Sequence, residues 1–387
     1  MVDFAFSKEH EIFRETVTEF AKRELTREKV KKWDRDSRFT PELYEALAKA
    51  GLSGINLPED CGGQGADSVT TGIAVEELAK YDFNVANLII IDNILSGGII
   101  AGYASDHLRK GILPDVAAGK IHLGIALTEP HTGSDAANIK TVASREGDSY
   151  TLNGEKASIS MIGVASYFSL FAKTQPEKGA RGVSAFLLPI DTEGVETYSF
   201  DDFGYRPLRR GGIILRNVRL PQENLMGKEN EGFKIVMRQF DYSKTLLALT
   251  CIGAALAALD DAVHYAKNRM AFGSPILKFE GIQFRLVEHY TRLEAARLLC
   301  YKGLWLRDKG LPFTKEAAMV KWWVPKIAVE AIHDSLLTIG NPAYTTEYPQ
   351  EKRLRDVMGI EIGDGTAEVQ KTVVARELFG REFIPYK

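Results

Sequence analysis

Residues 183–190 read VSAFLLPI and residues 211–220 read GGIILRNVRL, two short runs rich in apolar and β-branched residues. Similar runs, such as LGIAL and YFSLFAKT, begin after His122, and clusters of Gly, Pro and Asp separate them. Short runs bounded by turn residues are typical of β-strands. The sequence therefore predicts a compact β-domain of several strands between His122 and Gly227.

The chain on either side of this β-domain has a helical pattern. From Glu11 to Leu25 the apolar residues recur mainly every three to four positions, which places them on one face of a helix. Long runs with few helix breakers return after Gly232. The order helical, β, helical predicts an α+β fold and excludes a continuous doubly wound α/β fold. We expect three domains, a helical one at residues 1–120, the β-domain at 121–228 and a helical bundle at 229–387.

The composition is that of an ordinary soluble globular protein, with 45% hydrophobic and 26% charged residues among 387. The 49 Lys and Arg against 52 Asp and Glu give a net charge of −3, which lacks the basic excess of a nucleic-acid-coating protein. Three scattered cysteines are too few for a disulfide framework or a zinc cluster. We therefore expect a reducing compartment, no nucleic-acid partner and no metal site.

The N-terminal segment carries charges within its first ten residues and lacks the apolar region of a secretory signal. The most apolar run, Leu88 to Ala101, is interrupted by Asp92, Asn93 and two glycines, and it falls short of a membrane span. These features predict a cytoplasmic protein without a membrane partner.

Signatures of several common enzyme classes are absent from the sequence. No G-x-G-x-x-G opens a helix after a strand, and the P-loop, H-E-x-x-H and G-x-S-x-G motifs are missing. The turn LTEPHTGSD at residues 127–135 offers hydroxyls and backbone N–H groups that can hold a phosphate or a polar heterocycle. An ordinary Pro/Gly/Ser turn explains the same residues. From the residues of this turn alone, the ordinary turn is the favoured interpretation.

Six segments of the chain resemble the acyl-CoA dehydrogenase family. They occur in the family's order over nearly the whole chain. They are LPEDCGGQG (57–65), LTEPHTGSD (127–135), NGEKASIS (153–160), NVRLPQENLMG (217–227), NRMAFGSPILKFEGIQ (268–283) and EYPQEKRLRD (347–356). The resemblance implies an N-terminal helical domain, a middle β-barrel and a C-terminal four-helix bundle, with FAD between barrel and bundle. It also implies a homotetramer that oxidises an acyl-CoA substrate and passes electrons to an electron-transferring flavoprotein.

The resemblance also implies roles for single residues. It places four residues at the flavin ring, namely Leu127, Thr128, Ser134 and Ser160. It assigns other contacts with FAD to Arg269, Phe272, Gln283, Gly340, Thr366 and Gln370. It assigns the thioester substrate to Ser134, Asp241 and Lys244. A guanidinium suits a pyrophosphate because it presents a fixed fork of donors, although an arginine on a helix is often a solvated surface charge.

Some positions depart from the family pattern. Residues 337–344 keep only Gly340 of a glycine-rich pyrophosphate segment, Glu280 replaces a frequent Gln, and Lys244 replaces an Arg. Ser158 stands where a Trp is more usual beside the flavin, and Gly363 stands where a bulky aromatic residue is usual. The two small residues favour extra volume for a bulky or cyclic acyl group, unless other side chains refill the space.

Oxidation of a thioester at carbon requires a carboxylate that removes a proton while a hydride leaves to flavin N5. The family's common base is the Glu of a Y-E-G-T segment, and Asp364 occupies that position here. A second family location for the base holds Ser243, which cannot serve as a carboxylate. Asp364 leaves the ordinary 1,2-elimination open, as in a cyclohexane-1-carboxyl-CoA dehydrogenase.

Asp92 is a lone carboxylate in the apolar run NLIIIDNIL. Such a group is costly unless it is hydrogen-bonded, paired or neutralised, and a helix cap or neighbouring backbone groups would satisfy it. The resemblance implies a second interpretation, because the branch acting on cyclohex-1-ene-1-carboxyl-CoA has an Asp here that removes a ring proton in a 1,4-elimination. Both interpretations stay open, so Asp92 and Asp364 are the candidate catalytic residues.

The leading hypothesis is an FAD-dependent acyl-CoA dehydrogenase that oxidises a bulky, alicyclic CoA thioester. A short- or branched-chain acyl-CoA dehydrogenase is the alternative within the same reaction class. A non-catalytic scaffold that binds flavin or CoA is the alternative from another class, because the pyrophosphate segment is incomplete.

Overall fold

The computed structural model describes residues 5–384, and its first part is helical, as predicted. The helices are α1 (Lys8–Glu24), α2 (Arg27–Asp36), α3 (Pro41–Lys49), α4 (Ser68–Tyr81), α5 (Phe83–Ile89), α6 (Gly97–Tyr103) and α7 (Asp106–Ala117). The side chain of Ser7 caps α1, which buries Phe20 and Ala21 on the predicted face. Between α5 and α6 the segment Ile90–Ser96 is π-helical.

The central part of the chain forms the predicted β-domain. Its strands are β1 (Leu123–Ala126), β2 (Val142–Glu146), β3 (Ser149–Ile159), β4 (Tyr167–Lys173), β5 (Val183–Pro189), β6 (Val195–Ser199), β7 (Gly211–Pro221) and β8 (Leu225–Met226). They form one sheet in the order β6-β7-β3-β2-β4-β5-β8, with β1 paired in parallel to β4. β3 and β7 pair antiparallel, and a shift in their register falls between Ala157 and Ile159. This bulge reorients the end of β3, which carries part of the candidate site.

The last part of the described chain is helical again, which confirms that prediction. Its helices are α8 (Gly232–Asn268), α9 (Glu280–Asp308), α10 (Thr314–Ile339), α11 (Gln350–Ile362) and α12 (Ala367–Phe379). Between α8 and α9 lie two short antiparallel strands, β9 (Met270–Ala271) and β10 (Ser274–Pro275). The sequence did not predict them, because two residues are too few for an alternating pattern.

Contacts divide the chain into two compact units. The bundle unit comprises Met1–Asp34, Asp67–Asn87 and Lys244–Lys387, and the sheet unit comprises Arg35–Ala66 and Leu88–Ser243. In the bundle unit, α10 packs against α9, α11 and α12. In the sheet unit, one apolar core joins α6 and α7 to the strands, and it includes Ile99, Leu113, Leu123, Phe171 and Leu187. Each such buried side chain stabilises the fold by about 1.5–3 kcal/mol.

Among residues 5–384, two helices are long and apolar enough to cross a membrane by length and composition alone. They are Phe83–Tyr103, which is 83% buried within the protein, and Gly232–Asn268, which is 72% buried. The helix Phe83–Tyr103 is longer than the apolar run from Leu88 to Ala101 in the sequence. By length alone it could cross a membrane, so the expectation that this region falls short of a membrane span is wrong in that respect. Helices that are apolar on all sides also form the cores of large soluble proteins. The burial of both helices agrees with that second explanation.

Candidate functional site

Asp92 lies inside the π-helical segment Ile90–Ser96 of the sheet unit and is only 5% exposed. The N–H of Gly97 donates to the carbonyl oxygen of Asp92 across the widened turn. A β-carbon at Gly97 would overlap that same oxygen, so the turn requires glycine at this position. Single π-helical turns occur frequently at functional sites, and this one sets the position of the buried carboxylate.

Both carboxylate oxygens of Asp92 are hydrogen-bonded. Oδ2 lies 2.6 Å from Nδ1 of His122, and Oδ1 accepts the N–H of Leu123 at 2.8 Å. The expectation of a helix cap is wrong, because Asp92 lies within a helical segment rather than at its start. The expectation that backbone groups satisfy the carboxylate is correct in part, since the N–H of Leu123 belongs to β1. Sequence analysis missed His122, although a buried carboxylate requires a donor.

Opposing effects act on the imidazole of His122. Burial alone would lower its pKa, but the charge of Asp92 and the hydrogen bond outweigh burial and raise the pKa of His122. The ring of Tyr44 lies against the imidazole, with 4.1 Å between ring centroids. Burial and the charge of Asp92 also raise the pKa of Tyr44, which stays a neutral phenol. Nε2 of His122 is buried and has no hydrogen-bond partner among residues 5–384.

The turn at residues 127–135 is held by a buried ion pair. Nζ of Lys156, which is 0% exposed, lies 2.8 Å from Oε1 of Glu129 and also donates to the carbonyl oxygen of Leu127 at 3.0 Å. The same carboxylate accepts the backbone N–H groups of Lys140 and Thr141 and the hydroxyl of Thr141. The turn is therefore more than an ordinary surface turn, because its backbone is tied to β3.

The pKa values of this pair reflect burial and mutual attraction. Burial lowers the pKa of Lys156 to about 8, although Glu129 opposes the change. Burial would raise the pKa of Glu129, but Lys156 and the donated hydrogen bonds hold it below its usual value. At neutral pH both groups are charged, so the pair fixes the turn as a rigid element.

The predicted flavin-ring residues occupy this turn and the adjacent end of β3 in the sheet unit. Leu127 is buried, and the carbonyl oxygen of Thr128 accepts the N–H of Ala157 at 2.9 Å. Ser134 is exposed and Ser160 is half-buried. The structure thus places the four predicted positions on two adjoining segments.

Asp364 lies in the bundle unit, at the corner between α11 and α12. Its φ of 52° is in the left-handed region, and Gly365 follows with a φ of 92°. The side-chain amide of Gln370 donates to the carbonyl oxygen of Asp364 at 3.4 Å. Thr366 is the residue immediately before α12. Three predicted residues of this region, Asp364, Thr366 and Gln370, are therefore neighbours at one corner.

A lysine that sequence analysis missed contacts this corner. Nζ of Lys321, on α10, donates to the carbonyl oxygens of Ile360 at 2.7 Å and Gly365 at 3.0 Å. Lys321 is 1% exposed, and burial lowers its pKa to about 8 while the charge of Asp364 opposes that change. The partners follow Lys321 by 39 and 44 residues, so no local pattern links them.

The predicted thioester residues Asp241 and Lys244 lie one turn apart on α8. Asp241 is half-buried and belongs to the sheet unit, whereas Lys244 is 7% exposed and belongs to the bundle unit. The charge of Lys244 contributes to lowering the pKa of Lys321. The role of Lys244 toward a phosphate stays a prediction.

Models of three domains match this chain in the predicted order. They are acyl-CoA dehydrogenase, N-terminal domain over residues 7–120, middle domain over residues 124–218 and C-terminal domain over residues 230–379. The chain belongs to the acyl-CoA dehydrogenase family. It is therefore an FAD-dependent oxidoreductase that acts on the CH–CH bond of an acyl-CoA.

Relatives of this acyl-CoA dehydrogenase align over nearly its whole length. The mitochondrial short-chain specific acyl-CoA dehydrogenase of Mus musculus is 36% identical, covering 95% of this chain and 90% of the relative. The CarC subunit of the caffeyl-CoA reductase-Etf complex of Acetobacterium woodii is 34% identical, covering 96% and 98%. The structure of butyryl-CoA dehydrogenase from Megasphaera elsdenii is 33% identical with a TM-score of 0.93, covering 97% and 100%. These likenesses confirm the predicted fold.

The predicted nucleotide residues of this acyl-CoA dehydrogenase fit FAD. Oε1 of Gln370 is buried without a hydrogen-bond partner in the described part of the chain, so it can accept from a bound group. Gly340 has a φ of 77° and open space where a β-carbon would lie, which leaves its backbone accessible. Arg269 and Gln283 are exposed donors. The ring of Phe272 is 97% exposed and has an edge contact with the ring of Phe279, so much of its surface is available for stacking.

Proposed function

We propose that this acyl-CoA dehydrogenase oxidises a CoA thioester with an alicyclic acyl group, either cyclohex-1-ene-1-carboxyl or cyclohexane-1-carboxyl. The observation that carries the proposal is the buried pair of Asp92 and His122 on a π-helical turn. Oxidation of a linear acyl chain requires one base, and Asp364 can provide it. Asp92 is a second carboxylate, suited to a ring carbon remote from the thioester.

The proposed roles of the two carboxylates follow from their surroundings. A carboxylate has about four lone-pair positions, and the hydrogen bonds of Asp92 with His122 and Leu123 use one on each oxygen. A further position on the fixed carboxylate can accept a proton from a ring carbon. With cyclohexane-1-carboxyl-CoA, Asp364 would remove the proton next to the thioester carbonyl. Cyclohex-1-ene-1-carboxyl-CoA has no proton on that carbon, so Asp92 would be the base for its 1,4-elimination. In both cases the backbone N–H of Asp364 and the ribityl chain would hold the thioester carbonyl. Bound FAD supplies the hydride acceptor, its N5 atom.

The small residues Gly363 and Ser158, which stand where aromatic residues are usual in the family, support a bulky acyl group. Gly363 is half-buried, and a β-carbon there would meet only the carbonyl oxygen of Gly359, at 3.2 Å, among the described residues. Ser158 is exposed and has a left-handed φ of 59° at the bulge in β3. Neither position carries the aromatic ring that is usual at that place. The space that a ring would fill is available to a cyclic substrate.

A short- or branched-chain acyl-CoA is the second candidate substrate. The identity of 36% with the short-chain specific acyl-CoA dehydrogenase of Mus musculus favours it. In that case Asp364 alone would be the base, and the pair of Asp92 and His122 would stabilise the fold around β1. Membership of the family favours either enzyme over a non-catalytic scaffold.

Anaerobic titration of the flavin-loaded enzyme distinguishes the substrates. The thioesters are cyclohex-1-ene-1-carboxyl-CoA, cyclohexane-1-carboxyl-CoA, butyryl-CoA and isobutyryl-CoA, and the absorbance of oxidised flavin is followed. We expect a cyclic thioester to reduce the flavin fastest. Reduction by butyryl-CoA or isobutyryl-CoA without reduction by either cyclic thioester would overturn the alicyclic proposal and favour the second candidate.

The electron acceptor and the assembly are part of the same proposal. We propose an electron-transferring flavoprotein as acceptor, supported by the relative whose name places it in a reductase-Etf complex. We propose a homotetramer, supported by large exposed apolar side chains in the bundle unit such as Phe272, Ile362 and Phe383. Light scattering of the holoenzyme would show a mass near four times 42.9 kDa if this assembly forms.

A further inference from the structure

Lys321 has no function among the residues that the resemblance assigns. The residue is 1% exposed, and its ammonium donates to two carbonyl oxygens, that of Ile360 in the last turn of α11 and that of Gly365 after the corner. Burying an ammonium costs several kcal/mol unless it gains compensating contacts. An apolar side chain would pack here without that cost, so helix packing alone does not explain a lysine.

The two acceptors of Lys321 bracket Asp364 along the chain. Asp364 has a left-handed φ, and Gly365 follows with a φ of 92° at a place where a β-carbon would overlap Nε2 of Gln370. A corner with two consecutive left-handed residues is strained for its non-glycine member. Lys321 and Gln370 supply hydrogen bonds to the carbonyl oxygens of Gly365 and Asp364 and therefore hold this corner in shape.

We propose that Lys321 is a positioning residue for proton abstraction, because its two hydrogen bonds fix the corner that carries Asp364 and its positive charge acts electrostatically on the carboxylate of that residue. This inference rests on the proposed role of Asp364 as the base. Lys321 itself exchanges no proton with the substrate. The α-carbon proton of the thioester goes to Asp364, the hydride of the neighbouring carbon goes to the bound flavin, and a double bond forms between the two carbons. Lys321 therefore acts through the position and ionisation of the Asp364 carboxylate.

Four titratable groups act on the ammonium of Lys321. They are Asp364 at the corner, Glu361 on α11, and Cys251 and Lys244 on α8. Burial raises the pKa of the Cys251 thiol to about 12, so the thiol is neutral at physiological pH. Burial also raises the pKa of Glu361 above its usual value. Loss of the Lys321 charge would make ionisation of a neighbouring carboxyl harder, and this predicts a shifted pH profile.

The test compares Lys321→Met, which removes both charge and donors, with Lys321→Gln, which keeps amide donors but no charge. Lys326→Met is the matched control, because Lys326 is an exposed lysine on the same helix. The readouts are the rate of anaerobic flavin reduction across pH, the thioester affinity, and hydrogen exchange of residues 360–366 without substrate. Hydrogen exchange reports on the corner independently of activity.

For Lys321→Met we expect reduction slowed by about 10- to 100-fold, with thioester affinity and flavin content little changed. We expect its acid limb to move to higher pH by about one unit, and residues 360–366 to exchange faster. In Lys321→Gln, residues 360–366 should be better protected from hydrogen exchange than in Lys321→Met. The acid limb of its pH profile for flavin reduction should stay at the higher pH. Lys326→Met should match the unsubstituted enzyme.

A Lys321→Met enzyme with the unsubstituted rate and acid limb would overturn the inference. If that variant fails to fold, Lys321→Gln still tests it, because an unshifted acid limb there would contradict the role of the charge. The parallel variant Asp364→Asn separates the two proposals. Full activity of Asp364→Asn overturns the base and this inference together, whereas its inactivity beside a normal Lys321→Met overturns Lys321 alone.

Discussion

Asp92 Oδ2 lies 2.6 Å from Nδ1 of His122, which joins the π-helical turn to the residue that precedes β1. Because Asp92 also accepts the N–H of Leu123, one carboxylate fixes the first residue of a parallel strand. A buried charge with two donors is costly to disturb, since removing one partner leaves the other uncompensated. This relationship gives predictions for stability that do not depend on the substrate.

Replacement of His122 should separate the hydrogen bond from the charge. In His122→Asn the amide can still donate to Asp92, so we expect the free energy of unfolding to change by less than about 1 kcal/mol. In His122→Phe the donor is lost, and we expect destabilisation by about 3 kcal/mol. Urea unfolding measures both. Equal stability of the two variants would contradict an energetic role for the donor.

The stability that His122 provides should depend on pH. Its pKa is raised in the folded protein, so the folded state binds the proton more tightly than the unfolded state. This contribution is complete below its unfolded pKa of about 6.5 and is lost as the pH rises through the folded value. We expect the unfolding free energy of the unsubstituted protein, relative to His122→Asn, to fall over that range. A difference that is constant or rises with pH would contradict the assignment.

We expect that a side chain at Gly97 destabilises the protein, whereas a side chain at the nearby Gly102 is tolerated. In Gly97→Ala the new methyl group would overlap the carbonyl oxygen of Asp92, and we expect destabilisation by about 2 kcal/mol or more. Gly102 on the same helix has open space at this position among the described residues. Gly102→Ala should stabilise the protein by about 0.5–1 kcal/mol. Thermal unfolding of both variants provides the comparison, and similar effects would argue against the tight turn.

The ion pair of Glu129 and Lys156 should show strong coupling. Lys156→Met leaves the buried carboxylate of Glu129 without its cation, and we expect a loss of about 3–5 kcal/mol. Adding Glu129→Gln should recover part of this loss, because the uncompensated charge is removed. A double-mutant cycle measured by urea unfolding gives the coupling energy. Additive effects would show that the pair does not act as a unit.

Each carboxylate should affect flavin reduction differently. Asp364→Asn removes the proposed base of the 1,2-elimination, and we expect reduction by butyryl-CoA and cyclohexane-1-carboxyl-CoA to slow by about 10²- to 10⁴-fold. Asp92→Asn should slow reduction by cyclohex-1-ene-1-carboxyl-CoA much more than reduction by butyryl-CoA. Anaerobic stopped-flow absorbance measures both rates. An Asp92→Asn enzyme that reduces equally well with both thioesters would leave Asp92 with a structural role only.

The parts of the structure that depend on local pattern were predictable from the sequence. The helical periods and the short β-branched runs gave the order of the elements, because burial of one face imposes these periods. The motif at residues 127–135 located Leu127 and Thr128 on a turn, and the family resemblance identified Asp364 as a candidate base. The sequence did not predict contacts between residues that are distant along the chain. These contacts are His122 with Asp92, Lys156 with Glu129, and Lys321 with its two carbonyl acceptors. In each case the donor is an ordinary polar residue in the sequence.

The misassigned features have physical reasons as well. Asp92 resembles a helix cap in the sequence because a carboxylate within an apolar run requires a donor, and caps are the commonest local solution. Here the donors come from the start of β1, 30 and 31 residues further on. The strands β9 and β10 were missed because their two-residue pairing depends on the turn between them. Such contacts become visible only once the chain is folded.

The division of the chain into units has a consequence for synthesis on the ribosome. The sheet unit is complete once Ser243 has been made, whereas the bundle unit requires segments from both ends of the chain. The remaining 144 residues, from 244 to 387, take roughly 7–30 s at about 5–20 residues per second. During that interval α4, which packs against α1 and α9, has no α9 to pack against. The nascent chain must therefore keep its earliest helices from aggregating until its last helices emerge.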